Sequence, residues 1–301
     1  MDAFVWETLR KTGMDEEALR TLQLAEKAVC ADPEWNAGLA VPLAQIEQEN
    51  WPSVREKLCA LAERCGQPPY TLHLLHLARN LPAMHDACVQ RGIPDSIFVD
   101  SASDLNTKLA ECRVHFGVCG TASYQWQIKF FHLRLITLGR LTYETRPYTG
   151  PEYNGHGFSL REGDSLLGLH IPSGSFFGRE TRMDSYRRAY AFYGCTKEKP
   201  LIVHCNSWLL NPDHREMLSP SSNIIDFMND FDIVSDWERP EFPDAWRVFG
   251  RAADGPRESW PADNSLRRGY LKLLAEGKSP KNGHGILIFD GEKLLTGQHR
   301  N

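Results

Sequence analysis

The chain has 301 residues, of which 42% are hydrophobic and 24% are charged, a composition typical of a globular protein with one large domain or two ordinary ones. Its net charge of −5 gives no general attraction to nucleic acid or to an anionic membrane, so we expect a small-molecule or protein partner. The first residues lack the basic and then apolar order of a signal peptide, and no apolar run approaches the about 18 residues of a membrane span. We therefore predict a cytoplasmic protein.

The first part of the chain carries apolar residues at helical spacing. This periodicity predicts helices over residues 16–29, about 39–49, 51–64, 70 to about 90, and near 102–114. Pro82 lies inside the fourth of these runs, where it either kinks the helix or divides it into two. Only four of the 23 glycines precede residue 117, which marks a change of fold. We predict an α-helical bundle as the N-terminal domain, residues 1–120, and a second domain over residues 121–301.

Two histidines and eight cysteines raise the question of a metal site. His73 and His76 lie three residues apart on the fourth helix, a spacing that could place both on one ion. No acidic residue or cysteine falls in register with them, and the segment is rich in leucine, so packing between helices accounts for them better. The cysteines contain no Cys-x-x-Cys pair, which argues against a zinc ribbon or a disulfide framework. We predict reduced thiols and no metal.

The second domain alternates strand-like and helix-like segments. Residues 133–144 are typical of a helix end that passes into a strand, and residues 158–160 and 166–171 of two strands joined by a turn. The later segments are a capped helix from residue 223, a strand near 231–234, a short run at 246–249, a helix over 265–275 and a strand over 285–289. These segments predict an α/β or α+β domain, in which a mixed sheet is joined by crossover helices.

The most informative part of this domain is a strand–turn–helix–strand unit, formed by residues 166–171, about 182–193, and 201–210. Thr181 and Asp184 fit the capping pattern of a helix start. Gly174 follows the first strand and Gly178 recurs four residues later, so the backbone there can adopt conformations closed to other residues. An anion could approach main-chain N–H groups at this turn.

Five short motifs carry a resemblance to a known family. They are Leu-His-Ile-Pro-Ser-Gly at 169–174, Ser-Trp-Leu-Leu at 207–210, Ser-Asn-Ile at 222–224, Arg-Val-Phe-Gly at 247–250 and Leu-Arg-Arg-Gly-Tyr at 266–270. Together they resemble the bacterial acyltransferase-domain proteins of the GNAT superfamily, which pair a helical N-terminal domain with a GNAT-like C-terminal domain. The resemblance covers nearly the whole chain and implies an N- or O-acyltransferase that uses acyl-coenzyme A.

The resemblance also implies a place for the donor. Residues 166–172 would be the central strand, residues 201–210 its diverging neighbour, and residues 173–180 the loop that holds the pyrophosphate of coenzyme A. The donor-binding residues implied in this way are Ile171, Ser173, Gly174, Ser175, Phe176, Gly178 and Arg179. Acetyl-coenzyme A or a longer acyl-coenzyme A would be the co-substrate, without a metal, and the acceptor would be a small-molecule or peptide amine.

The helix after this loop carries three arginines, Arg182, Arg187 and Arg188. Arginine forks suit phosphate oxygens, so the resemblance allows a contact with the 3′-phosphate of coenzyme A. A solvated helix face is the simpler interpretation of the same three residues.

Acyl transfer to an amine needs a deprotonated amine, a polarised thioester carbonyl and a proton for the departing thiolate. His170 is the first candidate base, because it lies near the carboxyl end of the first strand, where crossover folds place ligands. His204 and Glu144 are the alternatives, and Ser207 is the preferred proton donor to the thiolate. Each histidine could equally be a packed core residue, and Glu144 could be solvated.

Two other functions remain open. The superfamily's usual loop is Arg/Gln-x-x-Gly-x-Gly/Ala, whereas this chain has only Gly174 and Gly178 there, and Asn206 stands where the resembled proteins have a histidine before Ser-Trp. These departures favour a non-catalytic acyl-coenzyme A binder or a protein-interaction module with the same fold. A hydrolase would need Cys205 or Ser207 as its nucleophile, and neither lies in a Gly-x-Ser-x-Gly pattern.

Overall fold

The protein is described by a computed structural model, in which residues 1–174 and 177–297 are described. The chain divides into two compact units: residues 1–137 with 172–174, and residues 138–171 with, in the described part, 177–297. The domain division near residue 120 stays a prediction. No helix in the described part of the chain is long and apolar enough to cross a bilayer.

Helices build the first unit. They are α1 (Ala3–Lys11), α2 (Glu16–Val29), α3 (Trp51–Arg64), α4 (Pro69–Arg79), α5 (Leu81–Gln90), α6 (Asp95–Ala102), α7 (Asp104–Phe116) and α8 (Tyr124–Phe131). The bounds predicted for α2 and α3 are confirmed. Pro82 divides the fourth predicted helix into α4 and α5, and it stands in the first turn of α5, where its missing N–H costs nothing. Helices α1 and α6 were not predicted, and of α8 only the end was predicted, near residue 133.

The helix predicted over residues 39–49 is wrong. An irregular helical turn ends at Gly38, and only the short turns Leu43–Gln45 and Gln48–Asn50 follow. Pro42 has an extended ψ of 133° and no N–H to donate, so a helix cannot run through it. Leu39 and Leu43 are nevertheless buried. The apolar spacing of this segment therefore reflects burial and not a helix.

Helix α4 runs through the centre of the first unit, and all residues from Thr71 to Ala78 are buried. His76 Nε2 donates to the Leu39 carbonyl at 3.1 Å, and its Nδ1 accepts from the Tyr124 hydroxyl at 2.7 Å. Since both ring nitrogens are used in this way, His76 is a neutral core residue. His76 therefore packs between helices, which is the interpretation that the sequence favoured.

The main sheet has six strands, in the order β1-β2-β5-β6-β8-β7, and β3 and β4 form a separate pair. The strands are β1 (Leu135–Leu138), β2 (Leu141–Pro147), β3 (Tyr153–Gly155), β4 (Phe158–Leu160), β5 (Ser165–His170), β6 (Leu201–Ser207), β7 (Asp232–Glu238) and β8 (Lys281–Phe289). The remaining helices are α9 (Arg179–Phe192), α10 (His214–Met217), α11 (Asn223–Met228), α12 (Ala245–Phe249) and α13 (Ser265–Ala275). Because β5 and β6 are parallel and the pairs β2–β5, β6–β8 and β7–β8 are antiparallel, the predicted mixed sheet is confirmed.

Two strand predictions are corrected. Residues 135–147 form two strands rather than one, because Gly139 turns the chain with a φ of +68°. Strand β4 pairs with β3 and not with β5. The two residues between β3 and β4, His156 and Gly157, have φ values of +54° and +83°, the geometry of a two-residue hairpin turn, and this local turn decides the pairing.

Each face of the sheet has its own cover. On one face, Ser185 of α9 accepts a hydrogen bond from the Leu141 N–H at 3.2 Å, and Tyr186 lies against Phe289. On the other face, Tyr153 and Leu160 of the β3–β4 hairpin join the buried cluster of β8. Glu144, His170 and His204, three of the four candidate catalytic residues, lie on this second face.

Acid should destabilise the first unit, and the buried, neutral His76 should contribute part of this effect. Burial lowers the pKa of His76 from 6.5 to about 4. Between these two pH values the unfolded chain binds a proton at this residue and the folded chain does not. The contribution of neutral His76 to the free energy of unfolding is fully present above pH 6.5 and is lost as the pH falls toward 4. The loss amounts to about 2 kcal/mol between pH 7 and pH 5. Urea unfolding of the wild type and of His76→Gln at both pH values measures it. His76→Gln should be less stable than the wild type at both pH values, but its free energy of unfolding should change less between pH 7 and pH 5. The same change in the variant as in the wild type would contradict the role of His76.

Candidate active site

Strands β5 and β6 separate toward their carboxyl ends. They pair only at Leu167 with Val203 and at Gly168 with His204. Beyond this point β5 stays paired with β2 as far as His170, and β6 stays paired with β8 as far as Ser207. The two strands are therefore held from their outer sides while a gap opens between them. This divergence is the one that the sequence resemblance implies.

The connection from β5 leads into the start of α9. Gly174 is exposed and has a φ of +93°, and Gly178 is the residue that caps α9, with an extended φ of −94°. The helix begins at Arg179, so the capping pattern predicted at Thr181 is wrong: Thr181 lies in the first turn and its hydroxyl donates to the Gly178 carbonyl at 2.9 Å. Helix N-termini leave N–H groups without an intrahelical acceptor, a suitable place for an anion.

The other implied donor residues lie on the same connection. Ile171 and Ser173 are half-buried, and Arg179 is exposed at the first position of α9. Ser175 and Phe176 lie outside the described residues. The described donor candidates are thus contiguous with the end of β5.

Glu144 and His170 form a hydrogen-bonded pair on the second face of the sheet. His170 pairs with Thr142, and Glu144 is the next residue of β2 on that face, opposite Gly168. His170 Nε2 donates to Glu144 Oε2 at 3.1 Å. Glu144 is only 3% exposed, so a solvated carboxylate is the wrong description of it. A histidine oriented by a buried carboxylate is the geometry of a general base.

His204 belongs to a second pair on the same face. Its Nδ1 lies 3.2 Å from His284 Nε2, and the ring of Tyr148 packs against both imidazoles. The His204 Nε2 is buried, and within residues 1–174 and 177–297 it has no hydrogen-bond partner. Burial first, and then the charge of Arg146, lowers the pKa of each histidine to about 4, so both are neutral near pH 7. A buried ring nitrogen without a partner is costly in a folded protein and is common at functional sites.

Ser207 is not brought together with these residues. It lies on the opposite face from His204, three positions along the strand, and its Oγ accepts a hydrogen bond from the Leu209 N–H at 3.1 Å. This bond caps the short turn Trp208–Leu210. Of the four candidate catalytic residues, the structure groups Glu144, His170 and His204.

Two further residues of this group, His284 and Arg146, were not predicted from the sequence. His284 lies one residue before the predicted start of the last strand, and Arg146 two residues after the predicted end of the earlier one. Strand alternation extended by one or two residues would have placed both on the same face as His204. Within residues 1–174 and 177–297, no group of three or more histidine, cysteine or acidic side chains could hold a metal ion.

Two family models match the chain. The N-acyltransferase N-terminal domain matches residues 3–133. The GNAT-like C-terminal domain matches residues 135–287, and this match alone covers about half of the 301 residues. These are the two parts that the short motifs suggested, in the same order. The predicted superfamily, fold class and acyltransferase type are thereby confirmed.

Solved structures of acyltransferases have a similar fold. The acyltransferase orf11*, a tryptophan-to-alanine mutant in complex with octanoyl-CoA, has a TM-score of 0.66 at 21% identity, covering 96% of this chain and 88% of that one. An acyltransferase in complex with decanoyl-CoA and teicoplanin has a TM-score of 0.62 at 20% identity, covering 96% and 100%. Likeness at this identity shows the fold. No curated protein matches the chain.

The reactivity of Cys205 shows whether a thiol nucleophile takes part in the reaction. Burial raises the pKa of its thiol to about 12, and the residue is 1% exposed, so it should be unreactive and dispensable. Iodoacetamide at pH 8, followed by peptide mass spectrometry, should label the exposed Cys30 and leave Cys205 unmodified. Cys205→Ala should keep any transferase activity within about twofold. Labelling of Cys205 at the rate of Cys30, with loss of activity, would restore the hydrolase interpretation.

Proposed function

Because this chain belongs to the acyltransferase family that joins an N-acyltransferase N-terminal domain to a GNAT-like C-terminal domain, we propose that it transfers an acyl group from acyl-coenzyme A directly to an amine. The observation that carries the donor is the gap between β5 and β6, because the chain leads from the end of β5 into the N-terminus of α9. An extended pantetheine arm suits such a gap, and a diphosphate suits the N-terminus of a helix of 14 residues.

The proposed general base is His170. The carboxylate of Glu144 accepts a hydrogen bond from the Nε2–H and so orients the ring, which leaves the lone pair on Nδ1. The same carboxylate stabilises the imidazolium that forms when the ring takes a proton. His204 lacks such a partner and is held neutral, which makes it the weaker base of the two.

The reaction then balances as follows. The amine nitrogen attacks the thioester carbon while His170 takes the proton from nitrogen, and the C–S bond breaks as the carbonyl re-forms. The thiolate of coenzyme A leaves and receives a proton, from the imidazolium or from water. Near pH 7 His204 supplies a neutral ring nitrogen, and beside Arg146 it can hydrogen-bond to the reacting group without adding charge.

The structural neighbours support a choice of substrates. Two of the acyltransferases of similar fold are in complex with octanoyl-CoA and decanoyl-CoA, and one of these complexes also contains teicoplanin. We propose a medium-length acyl chain and a small-molecule acceptor that carries an amine. The alternative, a non-catalytic acyl-coenzyme A binder, is kept because the loop departs from the usual superfamily pattern.

Donor binding tests the proposal first. Isothermal titration with coenzyme A, acetyl-coenzyme A and decanoyl-coenzyme A should show binding of all three, and decanoyl-coenzyme A should bind most tightly, because it buries more apolar surface. Gly174→Val should weaken binding at least about tenfold, since valine is strained at the φ of +93° that this residue adopts.

Gly194→Val is the matched control. Gly194 also has open space around it and a positive φ of +64°, but it follows the other end of α9. Its binding constants should match those of the wild type. No binding of any of the three donors to the folded wild type would refute the proposed function.

Catalysis should depend on the histidine–carboxylate pair. With decanoyl-coenzyme A and a panel of amines, His170→Gln should lower kcat by about 100- to 10,000-fold, and Glu144→Gln by about 10-fold or more, while donor affinity is kept. The assay follows release of the coenzyme A thiol.

Glu238→Gln, on the exposed edge strand β7, removes a carboxylate from the same sheet and should leave kcat unchanged. If His204→Gln abolishes turnover while His170→Gln keeps it, the base is His204 instead. If donor binds but all amines and variants give no transfer above background, the non-catalytic alternative is correct.

A further inference from the structure

Phe177 is held by two arginine side chains just before α9. The guanidinium carbon of Arg140 lies 5.2 Å from the centre of its ring, and that of Arg182 lies 5.4 Å from it. The centre of the Phe177 ring also lies 4.9 Å from the centre of the Phe227 ring. Cation–π contacts of this kind are stabilising, more so where water is excluded. Phe177 stands two residues before the first helical residue, Arg179, so these contacts fix the entry to the helix.

The two arginines differ in how their charge is neutralised. Arg182 is 0% exposed; its Nε donates to Asp230 at 2.8 Å and its Nη2 to Asp226 at 2.7 Å. Tyr186 adds a hydrogen bond to Asp230 at 2.9 Å. Arg182 is therefore a structural cation, and neither the solvated face nor the phosphate contact predicted for it applies.

Arg140, in the turn between β1 and β2, has no such partner. It is half-buried, its Nε is a buried donor without an acceptor, and among the described residues it makes no ion pair. Burial alone lowers the pKa of its guanidinium, which means that no carboxylate compensates the lost hydration. A partly desolvated cation without a counter-ion is unfavourable unless a ligand supplies one.

We propose that Arg140 binds a phosphate group of the donor, with Phe177 holding its guanidinium beside the start of α9. This inference rests on the proposed function and adds to it a residue from outside the β5–α9 connection. An arginine fork and helix N–H groups suit the same ligand chemistry, an oxygen-rich dianion. Both the 5′-diphosphate and the 3′-phosphate of coenzyme A have that chemistry, and the experiment separates them.

The test compares Arg140→Gln with the wild type by isothermal titration, using coenzyme A, dephospho-coenzyme A and pantetheine. Arg140→Gln should weaken coenzyme A binding about 10- to 100-fold, the usual loss for one charge-assisted hydrogen-bonded contact. Pantetheine carries neither phosphate group, so its affinity should be the same for both proteins. Arg140→Lys keeps the charge without the fork and should fall between them.

Arg161→Gln is the matched control, because Arg161 lies in the exposed turn after β4, with its Nε 3.8 Å from Glu152 Oε1. It should bind coenzyme A as the wild type does. If dephospho-coenzyme A loses the same factor as coenzyme A on Arg140→Gln, the contact is to the diphosphate; if it loses nothing, the contact is to the 3′-phosphate.

Equal coenzyme A affinity for Arg140→Gln and the wild type overturns the inference and leaves the proposed function intact. An equal loss of pantetheine affinity also overturns it, because the variant then disturbs the site in general. A wild type that binds no coenzyme A at all refutes the proposed function itself, so the two failures are distinguishable.

Discussion

The parting of β5 and β6 after Gly168 and His204 is the constraint on which the rest of the site depends. Strands in a sheet normally satisfy their N–H and C=O groups against a neighbour, and a gap between two strands leaves such groups to water or to a ligand. Here β2 holds one strand along six residue pairs and β8 holds the other along seven, so the gap stays open without loosening the sheet.

The same principle applies to buried polar side chains on and beside these strands. Glu144 and His170 are satisfied by each other, whereas His204 keeps a buried ring nitrogen without a partner. Among the described residues, Arg140 Nε is likewise a buried donor without an acceptor and Arg140 makes no ion pair, whereas Asp226 and Asp230 balance the charge of Arg182 on the same aromatic ring. Unsatisfied groups of this kind lower stability in the free protein, and a bound substrate can repay that cost.

Local signals were sufficient for several helices. The bounds of α2 and α13 were predicted from the apolar spacing, and the structure shows a side-chain cap at each start. Asp15 accepts from the Ala18 N–H, and Asn264 accepts from the Arg267 N–H. The same reasoning was wrong over residues 39–49, where buried leucines fall at helical spacing around Pro42. It was also wrong at Gly139, because a strand interrupted by a turn has the same composition as one long strand.

The sequence by itself determined the two-part organisation, the family, the strand–turn–helix–strand unit and the residues His170, His204 and Glu144 as candidates. These depend on spacing along the chain, which a sequence records directly. Only the tertiary structure decided that Glu144 lies against His170, that His204 meets His284, and that Arg140 reaches Phe177. Each of these contacts joins segments far apart in sequence, and strand order and register, which depend on packing across the whole sheet, decide which side chains meet.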